Sequence, residues 1–318
     1  MRKRMVIGTR ASNLALTQTR RIVTQLQRHW PGLEIVVEQI RTAGDVVTHL
    51  PLTKIGGDGV FVLEIERALL QRRIDLAVHS LKDVPTEQPA GLRVLVAGQR
   101  EDARDVLVTR RSPGAVPLAR IGTCSLRRTA QVRTLFPRAQ ILALRGNVDT
   151  RLRKLEAGAY DGIILAAAGL HRMGVPDTLD GRLTYLSFEQ MLPAPGQGAL
   201  GLEIRDEPEL VELLAPLCDH ATRATTGAER MFMRRLGAGC YLPVAAYSTI
   251  EAGELTLTGL VASMDGRSRV RVSRRLPWAV GYGIAYAEQL GKVLAEQALA
   301  QGADRIIASL MEGERQYV

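Results

Sequence analysis

The polar residues with the strongest claim on chemistry follow an apolar run. From Ile74 to His79 the chain reads as a buried strand; Ser80, Lys82 and Asp83 come next, and Pro85 stops the strand and fixes the turn. Open α/β sheets bind ligands beyond the carboxyl ends of their strands, so these side chains stand where a ligand arrives. The plain alternative is a strand followed by a solvated polar turn. Two other segments share this make-up. Met5 to Thr9 reads as a strand leading into Arg10 and Ser12, with Ser12 or Asn13 placed to cap a helix running to about Arg28. Ile121 opens a strand and glycine-containing turn that reaches Ser125, Arg127 and Arg128 at another helix start. A cation there opposes the helix dipole, so a bound anion gives such arginines a reason for their placement. Arg145 and Gly146 stand at a similar turn, with Arg151 one helical turn on, and Arg172 lies on a short helix after the strand Tyr160 to Ala166.

The charge balance points the same way. The net charge is +9, and among 42 Lys and Arg only Lys3, Lys54, Lys82, Lys154 and Lys292 are lysines. Arginine's planar fork suits carboxylate or phosphate, which favours repeated recognition of a small, multiply charged anion. Aromatics make up 4% of the residues, too few for a base-stacking platform, so nucleic acid is not the expected partner. Arg133, Arg138, Arg153 and Lys154 read as a solvated helical face. Cys124, Cys218 and Cys240 are scattered and odd in number, which disfavours a disulfide framework or a metal site. No run reaches transmembrane length and no signal-peptide core follows Met1, so a cytoplasmic protein is expected.

The positioning elements form two α/β lobes and a smaller third domain. Glu34 to Ile40 is a second strand, and the connection from Arg41 to Gly59, with Thr42, Gly44, Asp45, Lys54 and the glycines around Asp58, reads as a lid or binding loop before a helix from Val60 to about Leu70. Strands at Leu92 to Ala97 and Asp105 to Thr109 flank a polar linker, Gln99 to Arg104, and Pro193 to Gly198 marks a second crossing before a strand at Ala199 to Ile204. The expected domains are 1–99 with 197–216, 100–196, and 217–318, the first two enclosing a cleft lined by anion-binding turns. In the third, strands at Val244 to Thr249, Glu254 to Ala262 and Arg269 to Arg274 make an antiparallel sheet beside a helix over about Val280 to Ala300. Cys240 sits on a glycine-flanked loop there, unlike a packing cysteine. His171 reads as a surface residue, and no internal repeat is evident.

Six segments in order, Ile7 to Ser12, His79 to Pro85, Gly122 to Arg128, Leu144 to Arg151, Leu192 to Ala199 and Gly239 to Pro243, resemble the porphobilinogen deaminase (hydroxymethylbilane synthase) family over nearly the whole chain. The resemblance implies two lobes similar to periplasmic binding proteins, each doubly wound, and a small α+β domain whose Cys240 carries a dipyrromethane cofactor through a thioether. It implies a monomeric transferase of tetrapyrrole (haem) biosynthesis that joins four porphobilinogen molecules head to tail with loss of ammonia. By the motif match, Asp83 is the catalytic carboxylate; Lys82, Ser125, Arg127, Arg128, Arg145 and Gly146 hold the cofactor; and Arg10, Ser12, Arg151 and Arg172 hold substrate carboxylates. Three positions depart from the family's usual residues: Asp58 where a basic residue is frequent, Cys124 for a frequent serine, and Ala238 where glycine is common before the cofactor cysteine. The rival reading is a two-lobed protein that binds a small polycarboxylate without catalysis.

Overall fold

The computed structural model describes residues 3–42, 44, 62–112, 114, 117–179, 181–237, 242–279 and 281–315. In chain order the first lobe supplies β1 (Arg4–Thr9), α1 (Asn13–His29), β2 (Glu34–Gln39), α2 (Leu63–Leu70), β3 (Leu76–Ser80) and β4 (Leu92–Ala97). The second lobe supplies β5 (Asp105–Thr109), β6 (Arg120–Gly122), α3 (Leu126–Leu135), β7 (Gln140–Leu142), α4 (Val148–Glu156), β8 (Gly162–Ala166), α5 (Ala167–Arg172) and β9 (Leu183–Tyr185). Then come β10 (Leu200–Arg205), α6 (Pro208–Leu214), α7 (His220–Arg235), β11 (Val244–Glu251), β12 (Glu254–Ala262), β13 (Arg269–Pro277), α8 (Ile284–Ala298) and α9 (Asp304–Arg315). The chain divides into two compact units, Met1–Glu101 with Gly198–Arg223 and Asp102–Gln197 with Ala224–Val318.

In the first unit the strand order is β2-β1-β3-β10-β4; β1 runs parallel to β2 and β3, and β10 antiparallel to β3 and β4. The second lobe repeats the plan as β7-β6-β8-β5-β9, with β6 parallel to β7 and β8 and β5 antiparallel to β8 and β9. In each sheet the reversed strand is the one formed just after a crossing, β5 after Glu101 and β10 after Gln197. The inner strands bury nearly every side chain because helices cover their faces, which is why Leu76 to Val78 and Ile163 to Leu165 read as unbroken apolar runs. Gly198 marks the return. Its φ is +93°, and a Cβ would meet the carbonyl of Glu101, whose N–H donates to Gly198 O at 3.1 Å.

The second unit also holds the antiparallel meander β11-β12-β13, whose core gathers Phe232 of α7, Leu255 and Leu257 of β12, and Leu290 and Leu294 of α8. The helix expected to reach Ala300 ends at Ala298; Gly302 adopts φ 98° at a kink, and α9 follows. The three-residue strands β7 and β9 had no clear sequence pattern, since three residues cannot display a period. Of the expected lid between Arg41 and Gly59, only Arg41, Thr42 and Gly44 are among the described residues.

Candidate active site

The turn after β3 is built by two buried anchors. Leu81 and Val84 are each 1% exposed, Leu81 N–H donates to Ala199 O at 3.0 Å, and Leu81–Asp83 closes as one 3₁₀ turn. With Leu81 and Val84 pinned in the core, Lys82 and Asp83 between them remain half-buried at the carboxyl edge of the sheet. Parallel β1 delivers Arg10 and Ser12 to the same edge. Ser12 is the cap of α1, its Oγ accepting from Ala15 N at 3.3 Å. One cavity in the first unit is lined by Arg10, Ser12, Gln18, His79, Ser80 and Asp83 together with apolar side chains. It therefore joins two segments that are about seventy residues apart in sequence. Gln18 Nε2 donates to Ser80 Oγ at 2.9 Å, fixing the rim between α1 and β3.

In the second lobe the predicted residues again sit beyond the ends of adjacent parallel strands. Ser125, Arg127 and Arg128 follow β6; Arg145, Gly146 and Arg151 follow β7; Arg172 follows β8 on α5 and is buried. Ser125 caps α3 by accepting from Arg128 N, and Asn147 caps α4 by accepting from Thr150 N at 3.0 Å. Gly146 has φ +114°, a conformation a side chain would strain, and its carbonyl accepts from Arg151 Nε at 2.7 Å. Arg133, Arg138, Arg153 and Lys154 are exposed, as expected. His171 is only half-exposed: its Nε2 lies 2.7 Å from the Tyr185 hydroxyl, a partner from β9 that local sequence does not supply.

The anion that meets Arg127 and Arg128 inside the protein is Asp105, a residue read from sequence only as the start of a strand. Arg127 Nη1 lies 2.5 Å from Asp105 Oδ2 and 2.7 Å from Leu192 O; Arg128 donates through Nε and Nη2 to Asp105 Oδ1 at 3.1 and 2.7 Å and through Nη1 to Ile164 O. Gln197 Nε2 adds a 3.0 Å bond to Asp105 Oδ1. Burial pushes the Asp105 carboxyl up, but the two guanidinium charges and their hydrogen bonds outweigh it and hold the carboxyl well below the usual range. A lowered folded-state value contributes stability above the unfolded value near pH 4, and that stability is lost as pH falls further. Asp105→Asn should accordingly cost about 3 to 5 kcal/mol at neutral pH by leaving two buried guanidiniums uncompensated, and should flatten the acid limb of a stability curve measured by urea unfolding. Equal midpoints for variant and parent at neutral pH would remove Asp105 from that role.

Two relatives align over nearly the full length. The porphobilinogen deaminase of Syntrophobacter fumaroxidans is 47% identical over 96% of this chain and 97% of its own, and that of Syntrophotalea carbinolica 49% identical over 96% and 95%. Residues 5–212 match the family model described as porphobilinogen deaminase, dipyromethane cofactor binding domain, and residues 224–300 match that of the porphobilinogen deaminase C-terminal domain. The chain belongs to the porphobilinogen deaminase family. Arg10, Arg127, Arg128, Arg145, Arg151 and Arg172 all fall inside the region matched to this family's cofactor-binding domain. The second lobe suits a polycarboxylate cofactor, because Arg127 Nε and Arg145 Nη1 are buried donors with no hydrogen-bond partner among the described residues. Cys240, the expected attachment point, and the neighbouring Ala238 lie outside the described residues. No helix among the described residues is long and apolar enough to cross a membrane.

Sequence reasoning missed Asp105, Glu203 and Glu66. A signal existed for the first two: each is the one acid on a strand of mostly apolar residues, and such a group is buried only with a partner or a function.

Proposed function

We propose that this chain condenses four porphobilinogen molecules head to tail, releasing ammonia at each addition and finally, by hydrolysis with water, hydroxymethylbilane, with Asp83 as the catalytic carboxylate. The observation that carries the reading is the placement of Asp83 in one cavity with Arg10 and Ser12. Porphobilinogen offers carboxylates and an aminomethyl group, so a recess that presents both a guanidinium and a carboxylate can hold the acid groups while acting on the amine end.

Arg10 and Ser12 bind and orient substrate carboxylates, which leaves Asp83 as the negative group beside the reacting carbon. Departure of ammonia leaves a cationic azafulvene, and a fixed carboxylate stabilises that charge without reorganising. The same carboxyl passes a proton to the leaving amine and takes one from the attacked pyrrole position. A dipyrromethane held on Cys240 would supply the pyrrole carbon at which the chain grows. Arg127 and Arg145 each have a donor without a partner among the described residues to offer its carboxylates. Arg128 commits three of a guanidinium's five N–H groups to Asp105 and Ile164 O and keeps the rest. Lys82, Ser125 and Gly146 complete the cofactor's contacts in this proposal, and Arg151 and Arg172 those of the substrate. The domain limits 1–99 with 197–216, 100–196 and 217–318, a cytoplasmic location and a monomeric state belong to the same proposal.

Purified protein given porphobilinogen should release ammonia, and its intact mass should show the protein plus cofactor and a ladder of added substrate units. Binding of porphobilinogen with neither ammonia nor added mass would favour the rival, a binding protein for small polycarboxylates.

A further inference from the structure

Beside the cavity that Asp83 lines, three titratable side chains are kept out of solvent, and the helix that carries one of them, α2, is capped by Val62, which lines the same cavity. His79 on β3 is 5% exposed and Glu203 on β10 is fully buried, and the imidazole Nε2 lies 3.0 Å from the carboxyl Oε2. The register explains the pair: Gly201 is opposite His79, and Glu203, two residues along β10, projects from the same face on the diagonal. Glu66, also 5% exposed, comes from α2, which packs against β1, β3, β4 and β10. Burial first, then the charge of Glu203, raises its carboxyl to about 7, with His79 acting in the opposite direction. Glu203 Oε1 is buried with no hydrogen-bond partner among the described residues.

Other charges on the surrounding strands are committed elsewhere. Arg4 on β1 pairs with Glu34, Arg93 on β4 with Asp206, and Arg205 on β10 with Asp75 and Glu207, while Glu64 and Arg67 lie on α2 itself. Apolar side chains would fill this space at lower cost, since the imidazole of His79 meets one buried carboxyl, Glu203, at hydrogen-bond distance and Glu66 is a second buried carboxyl on the helix packed over the same strands. Of the three groups, His79 lines the cavity alongside Asp83, so the cluster reaches the site through it.

We propose that Glu66, acting with Glu203 through His79, is a positioning residue for the reaction: its ionised carboxyl adds negative charge beside the cavity and assists the cationic stage, and its protonated form does not. The inference rests on the reading of Asp83 given above. A charge held in a poorly solvated wall acts over a longer range than one in water, so a group that does not touch the substrate still changes the barrier.

The test uses the cofactor-loaded enzyme with porphobilinogen, following kcat and KM across the pH range around neutrality. The parent kcat should fall about tenfold as pH drops through the Glu66 ionisation, with little change in KM. Glu66→Gln should lose that limb and stay near the lower plateau, and His79→Gln, which removes the group favouring ionised Glu66, should move the limb to higher pH. A uniform loss at every pH with the limb unmoved, or a Glu66→Gln profile identical to the parent's, would overturn the proposal. Infrared titration supplies a readout independent of turnover: the parent should show a carboxylic acid band that disappears as pH rises through neutrality and is missing from Glu66→Gln. A parent without that band on the acid side would also overturn it. Should Asp83→Ala retain turnover, the assignment of Asp83 fails, whereas the infrared result still reports on Glu66 alone.

Discussion

Asp83→Ala is expected to lower kcat about 10⁴-fold, because one substitution removes both the charge that stabilises the cationic intermediate and the group that moves the protons. Folding should survive the change. Asp83 is half-buried at the sheet edge, while the turn is held by Leu81 and Val84 in the core and by the Leu81 N–H bond to Ala199 O. The parent melting temperature should be nearly kept, with cofactor still attached, so the loss falls on ammonia release at saturating porphobilinogen. A variant that releases ammonia within about tenfold of the parent rate would take the catalytic assignment away from Asp83. KM should change far less than kcat, since Arg10 and Ser12 remain to bind the substrate carboxylates.

For Cys240→Ser, intact-mass measurement should find the bare polypeptide, without dipyrromethane, and turnover should vanish with it. In the proposed reaction a thioether would hold the growing chain in place between additions, and effective concentrations of about 10⁵ M or more would make that tether worth far more than binding alone. Of the other thiols, Cys218 is a poor substitute. Burial pushes the Cys218 thiol up, with Arg223 opposing, and its Sγ is turned to Leu214 O at 3.5 Å. Cys124 is half-buried in the turn after β6, so added mass retained in the Cys240→Ser protein would point to Cys124 as the attachment site.

Much of this protein is written in short segments. The apolar run before Ser80 set β3 and put Lys82 and Asp83 at its carboxyl end; Ser12 or Asn13 marked the start of α1, where Ser12 proves to be the cap, and the turn at Ser125 marked the start of α3; the solvent exposure of Arg133, Arg138, Arg153 and Lys154 followed from their charge. These signals are local because a cap or a strand end is decided by residues within one or two turns of it. The shared plan of the two lobes was invisible as a sequence repeat, since strand order constrains where chains cross and leaves side chains free to diverge.

Partnerships across the sheets were decided only when the chain folded. Asp105 meets arginines 22 and 23 positions away, and Glu203 meets His79 across 124. In both cases the acid rides on the strand that enters its sheet reversed, beside strands formed elsewhere in the chain, and no local pattern records which neighbour it will have. Composition showed that the protein is built to grip anions. Which arginines spend their charge on an internal carboxylate, and which keep N–H groups for a ligand, depends on the order in which strands are laid side by side, because burial leaves a charge stable only beside the partner that this order provides.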